Sequence, residues 1–296
     1  MNKKKLGFVF DSFTCQTAKF MEENNYGYCP FRTDIDGTVY EDGIDLTQKE
    51  LIQKILGAQN PKSSLPRIDK MVDAIKAKSE ECTDVLVFCI SSCLSSTYNQ
   101  ALNISKEFPN VHVYDNSWGA DQYFDVVEYI KKVYDDNDGN MKIVFEKLDQ
   151  IKKQSLLFVL PPDVSYVING GRVGSFKKFL LKTLKILGVK PYVKFYNETA
   201  STGGMGRSIK SAILQIQKKL FDFANINDVS KDASNYVFHF VHGVDEELND
   251  LAVKLFKENG IEFKSSTYLS SGVAIHTGPK ALCLSVMPDL SKWPTK

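Results

Sequence analysis

The sequence predicts an α/β protein of two domains. The first is an N-terminal Rossmann-like domain with a parallel sheet flanked by helices, and the second a C-terminal α/β domain with a mixed or largely antiparallel sheet. Three observations lead there. Short apolar runs alternate with helical patterns through the first half, the pattern of a parallel sheet covered on both faces. That rhythm changes after "LPPDVSYVINGGRVG", residues 160–174. Finally, "VLVFCISSCLSSTYNQA", residues 85–101, passes from six apolar residues into a row of hydroxyls before a helical pattern.

In chain order, "LGFVF" (6–10) is the first strand. Its basic start resembles a signal peptide, but Asp11 ends the apolar run after five residues, too early for a signal-peptide core. Helices are expected at 46–56 and 68–81, the latter with Met71, Val72 and Ile75 on one face and lysines on the other. Strand 85–90 leads into helix 97–107, and strand 111–115 into helices 119–135 and 141–153. Strand 155–160 closes the first domain, 1–162, at Pro161-Pro162. In the second, 163–296, strands are expected at 189–196, 236–241, 261–265, 268–275 and 282–286, with helices at 176–187, 207–223 and 245–259.

Composition narrows the function. With 296 residues, 43% hydrophobic and 25% charged, the chain has ample core for a folded protein. A net charge of +1 without a dense basic block gives no reason to expect nucleic acid. No stretch approaches the roughly 18 to 20 apolar residues that span a bilayer. The six cysteines form no CxxC pair and read as buried free thiols in a reducing cytosol, not as a zinc site.

In parallel sheets, ligands sit beyond the carboxyl ends of the strands, where Ser91 and Ser92 stand. Ser91, Ser92, Ser95, Ser96 and Thr97 have two readings: a helix cap with an ST-turn, or an anion site of free N–H groups and hydroxyls. Ser63 and Ser64, between Pro61 and Pro66, form a second hydroxyl pair, with capping again the plain alternative. Against 33 lysines there are four arginines, and two of them, Arg172 in "NGGRVGS" and Arg207 in "STGGMGRSIKSAI", stand in glycine-rich settings. Neither stretch fits a Walker or dinucleotide fingerprint. Of the histidines, His112, His239 and His242 read as strand residues. His276 follows an apolar strand and precedes Thr277-Gly278-Pro279, a sharp turn that aims its ring at a site.

Seven pieces join these features: "DSFT" near the start, "VYEDGID" at 39–45, "PKSSLP" at 61–66, "ISSCLSSTYNQA" at 90–101, "NGGRVG" at 169–174, "GRSIKSAI" at 206–213 and "IHTGPKAL" at 275–282. In this order and spacing, spread over nearly the whole chain, they resemble the DegV family of bacterial fatty-acid-binding proteins. The resemblance implies two α/β domains with one fatty acid in the cleft between them. It places carboxylate contacts at Ser63 and Ser92, with Ser64, Ser91 and Ser95 next in line, completed by Arg172 and His276. Arg207 matches an arginine near the mouth, associated with a partner kinase or the incoming phosphate. The sequence departs from the family at Leu65, where a glutamine is usual, at Ser96, where a glycine is usual, at Lys280, and after "DSFTC", where an acidic residue is absent. These departures bear on chain preference and partner affinity more than on the head-group site.

The resemblance implies a cytoplasmic carrier, not itself an enzyme and without a cofactor. It binds a long-chain fatty acid and presents the carboxylate to the catalytic subunit of a separate ATP-dependent fatty-acid kinase for phospholipid synthesis. The absence of a Walker motif agrees with ATP and Mg²⁺ belonging to that partner. The helix "SFKKFLLKTLKILG" (175–188) has an apolar stripe and a lysine face. It reads as core packing, or as tunnel lining with transient membrane contact during loading. Two other readings stand beside this one: a serine hydrolase or acyltransferase using Ser92 and His276, though no G-x-S-x-G elbow is present, and a module binding a polar small molecule.

Overall fold

The computed structural model describes residues 4–170 and 188–296. From the N-terminus run β1 (Leu6–Asp11), α1 (Ala18–Glu23), β2 (Gly27–Cys29), β3 (Arg32–Ile35), β4 (Thr38–Glu41), α2 (Gln48–Gly57), β5 (Lys62–Ser64), α3 (Ile68–Glu81), β6 (Asp84–Phe88), α4 (Thr97–Ser105), β7 (Val111–Tyr114), α5 (Gln122–Asp136), α6 (Met141–Lys153), β8 (Leu156–Leu160) and α7 (Ser165–Gly170). From residue 188 onward come β9 (Lys190–Tyr196), β10 (Thr199–Gly206), α8 (Ile209–Phe223), α9 (Val229–Asp232), β11 (Tyr236–His242), α10 (Glu246–Glu258), β12 (Ser265–Tyr268), α11 (Ser271–Thr277) and β13 (Leu282–Pro288).

The parallel sheet expected of the first half has the order β2-β1-β6-β7. Its central strands β1 and β6 are almost wholly apolar because both faces are buried, whereas edge strand β7 carries half-buried His112. Phe8, Phe10, Leu86 and Phe88 pack with residues of α5 and α6, and Val9, Val85 and Val87 with residues of α3 and α4. The second sheet is mixed, in the order β10-β9-β8-β13-β11-β12, with only β11 and β12 parallel. Phe158, Tyr192, Phe238, Phe240, Leu284 and Val286 form one core with α8 and α10. By the two-residue period, Leu157, Val159, Val193, Val241 and Cys283 point the other way, toward the N-terminal half.

Several local readings change. The strand expected at 155–160 belongs to the second sheet, not the parallel one, so sheet membership switches before Pro161-Pro162. The strand expected at 268–275 is instead α11: Val273 and Ile275 favour a strand locally, but docking against α2 and α7 decides otherwise. The strand expected at 261–265 lies at Ser265–Tyr268. A three-stranded antiparallel sheet, β4-β3-β5, was not anticipated, because three or four residues carry too little periodicity. Nor was β10, whose "TASTGGMG" lacks apolar alternation. The helix at 176–187 lies outside the described residues.

Candidate functional site

All four parallel strands deliver residues from their carboxyl ends to one cavity: Phe13 and Cys15 after β1, Phe31 after β2, Ile90, Leu94 and Ser95 after β6, and Gly119 and Ala120 after β7. The inner face of the mixed sheet closes the opposite side with Leu157, Val159, Val193, Phe195, Ala200, Val241 and Cys283. The space is about 1110 Å³, including its open mouth. Among the described residues no lysine, arginine, aspartate or glutamate lines it; the polar side chains are Ser63, Ser64, Ser95, His276 and Thr277, besides the two thiols.

The lining follows from local geometry. Thr33 and Ser63 are cross-strand partners in β3 and β5, on one face of the small sheet. Each holds α11. Thr33 Oγ1 lies 2.7 Å from Ser271 Oγ, and Ser63 Oγ lies 2.7 Å from His276 Nε2. Asp42, following β4, accepts the Ser271 N–H at 3.0 Å. Helical spacing then turns Gly272, Val273, His276 and Thr277 to the cavity. Gly278, at φ 97°, ends the helix where a side chain would be strained. Two non-glycine lining residues also adopt left-handed backbone, Cys15 at φ 60° and Ala120 at φ 50°. Ala120 N–H donates to the Phe13 carbonyl at 3.0 Å, fixing the two loops together.

The electrostatics are those of a dry site. Burial pushes the Cys15 thiol well up and the Cys283 thiol to about 12, so both remain protonated linings. Burial likewise raises the Asp11 carboxyl to about 7, against hydrogen bonds from the Ile90 and Phe13 N–H groups.

The structure brings Ser63, Ser64, Ser95 and His276 to one cavity. His276 stands in the last turn of a helix, not at the end of a strand. Ser92 is not brought to the cavity: it is exposed, in a shallow outer groove with Leu65, Cys93, Leu94, Ser95 and Ser96. Its N–H donates to Asp115 Oδ1 at 3.1 Å. Nucleophilic pairing of Ser92 with His276 therefore has no support, since His276 is bonded to Ser63 in the cavity. Ser91 is buried beneath the turn and does not line the cavity; its carbonyl accepts the Leu94 and Ser95 N–H groups. Ser95 serves both readings at once, lining the cavity and accepting the Thr97 N–H. Arg207 is exposed between β10 and α8 and is not among the cavity residues. Arg172 lies outside the described residues. Sequence reasoning missed Thr33, Asp42, Ser271 and Thr277. Asp42 sits in "VYEDGID", one of the matched pieces, but nothing local ties it to residue 271.

Comparison with known proteins agrees with this architecture. A profile of the DegV family, described as uncharacterised proteins, matches residues 5–289. A DegV domain-containing protein of Mycoplasmopsis pulmonis is 27% identical over 290 residues, covering 96% of this chain and 95% of its own. A stearic acid-binding protein from Eubacterium ventriosum superposes with a TM-score of 0.81 at 22% identity, over 97% of this chain and 100% of its own. A DegV family protein from Thermus thermophilus, solved for its fatty acid binding, gives 0.81 at 22% identity over 96% and 99%.

Proposed function

This chain belongs to the DegV family, and from that premise we propose that it binds a long-chain fatty acid in the cavity between its two sheets. The observation that carries the reading is the division of the lining into a large apolar part and a small set of neutral hydrogen-bonding side chains. A tail gains about 0.8 kcal/mol for each buried methylene, on the order of 10 kcal/mol gross for a long chain. The carboxylate loses hydration and needs charge-assisted hydrogen bonds in return. Ser63, Ser64, Ser95 and His276 supply them, with Arg172 completing the grip.

The size agrees. Lining residues come from β11, β13, β8, β9 and β10, five adjacent strands spanning about 19 Å. An extended acyl chain advances about 1.25 Å per carbon, so roughly 15 carbons lie across them. Acids of about C14 to C18 are the expected ligands.

The protein then acts as a carrier without catalysis of its own, without a cofactor, in the cytoplasm. No helix among the described residues is long and apolar enough to cross a membrane. It presents the carboxylate to the catalytic subunit of a fatty-acid kinase, which brings ATP and Mg²⁺, while exposed Arg207 and the groove holding Ser92 face the partner. Loading involves a transient membrane contact. Mass spectrometry after mild extraction tests the ligand: a co-purified acid of about C14 to C18 is expected. A protein that stays empty after exposure to such acids overturns the reading. The kinase step is tested by supplying the loaded protein to candidate kinases with ATP and looking for acyl phosphate.

A further inference from the structure

One buried ionisable group has no place in that account. Asp42 is 1% exposed. One carboxylate oxygen, Oδ2, accepts the Ser271 N–H at 3.0 Å; the other, Oδ1, is buried with no hydrogen-bond partner among the described residues. The titratable groups around it are Asp11 on β1, Tyr28 on β2, whose hydroxyl donates to the Asp42 carbonyl at 2.8 Å, and Cys15. All are acidic. No lysine, arginine or histidine among the described residues forms an ion pair with it. A serine, threonine or asparagine would cap a helix here without bringing a charge into the interior.

The position gives that charge leverage. The helix Asp42 holds, α11, carries Gly272, Val273, His276 and Thr277 of the cavity wall. Its first turn is pressed against Phe31, another lining residue: a Cβ added at Gly272 would lie 2.7 Å from Phe31 Cδ2. Any lift of that turn moves the wall and loosens the His276–Ser63 bond.

Resting on the fatty-acid reading, we propose that Asp42 is a positioning residue for the head-group end of the cavity: protonated, it seats α11 and the ligand is held; ionised, it drives α11 off its seat and the ligand is released. The Ser271 N–H partly offsets the charge, but burial outweighs it, and a lift of the helix that admits water to the carboxylate relieves the rest. Burial raises the Asp42 carboxyl to about 7, despite the hydrogen bond from Ser271, so its proton is exchanged near neutrality. By linkage, a carboxyl that holds its proton more tightly in the seated state makes loss of that proton favour the unseated one.

The test is titration with palmitic acid at about pH 6 and about pH 8, using the wild type and Asp42→Asn. A proton on His276 would also favour the carboxylate at low pH, so the decisive comparison is the variant at the higher pH. Asparagine is neutral throughout, and Asp42→Asn is expected to bind palmitic acid about fivefold more tightly than wild type at about pH 8 and equally at about pH 6. Equal or weaker binding by the variant at the higher pH overturns the proposal. Should the variant fail to fold, the wild-type Ser271 and Gly272 amide resonances decide: they are expected to titrate together with a midpoint near 7. Resonances that stay still, or follow the His276 ring, overturn it. If the wild type takes up no palmitic acid at either pH, the fatty-acid reading fails, while the amide titration still judges Asp42.

Discussion

The Ser63 hydroxyl and the His276 Nε2 lie 2.7 Å apart although 213 positions separate them in the chain. This bond joins an edge strand of the small antiparallel sheet to the last turn of α11, and both residues line the cavity. It presents an imidazole and a hydroxyl side by side, two groups that together can meet a carboxylate without a fixed cation.

Ser63→Ala removes that partnership. Loss of one hydrogen bond to a charged group costs about 1.5–3 kcal/mol, so affinity for palmitic acid is expected to fall on the order of tenfold or more. Ser63→Thr keeps the hydroxyl and is expected to retain most of the binding. Calorimetric titration of both variants checks this, and an alanine variant with wild-type affinity would place the carboxylate elsewhere.

Val159 occupies the middle of a cross-sheet row, Val241–Cys283–Val159–Val193, that paves the cavity. Val159→Phe fills space without crowding a packed core. Acids of about C16 to C18 are expected to be excluded before shorter ones, with little change in thermal stability. Competition among acids of graded length measures it; an unchanged length profile means that the tail does not cross this row.

Asp125 ties the halves together from α5. Its Oδ2 meets His239 Nε2 at 3.0 Å on β11, and its Oδ1 accepts from Lys264 Nζ at 2.7 Å, while His239 Nδ1 lies 2.7 Å from Ser265 Oγ. Burial pushes the Asp125 carboxyl up, but the hydrogen bonds and charges of His239 and Lys264 outweigh this and hold it below its ordinary value. Asp125→Asn is expected to cost about 3 kcal/mol in denaturant unfolding. Because the carboxyl is depressed, its contribution is present at neutral pH and is lost as the pH falls through the folded value. A variant as stable as wild type at neutral pH would show the tie to be dispensable.

Asp11 and Asp42 predict the opposite trend at higher pH. Burial raises both carboxyls from 3.8 to about 7. The folded chain therefore keeps protons that the unfolded chain has released, and this contribution is lost as the pH rises through about 7. Lowering the pH from about 8 to about 6 is expected to raise unfolding stability by on the order of 1 kcal/mol per group. His242, held below its ordinary 6.5 by burial, works against this as the pH falls further. Urea midpoints across this range measure the trend; a steady decline on acidification would contradict it.

The sequence reading succeeded where neighbours along the chain carry the signal. Strands β1 and β6 are apolar runs because both faces are covered, and the helix expected at 68–81 begins and ends where the structure places α3. Short strands and Gly-rich β10 were invisible for the same reason: too few residues, or too few apolar ones, to show a period. Around His276 the local signal points the other way: Val273 and Ile275 favour a strand, while contacts from distant parts of the chain hold them in a helix.

By itself the amino-acid order determined the layered α/β plan and put the hydroxyl row at a strand's carboxyl end, since such features rest on local periodicity and on residues adjacent in the chain. Only the tertiary structure decided that Ser95 lines the cavity while Ser92 stands outside, that Ser63 pairs with His276, and that Asp42 holds the helix between them. Those outcomes depend on which surfaces meet when distant elements pack, and no spacing along a single strand or helix records that meeting.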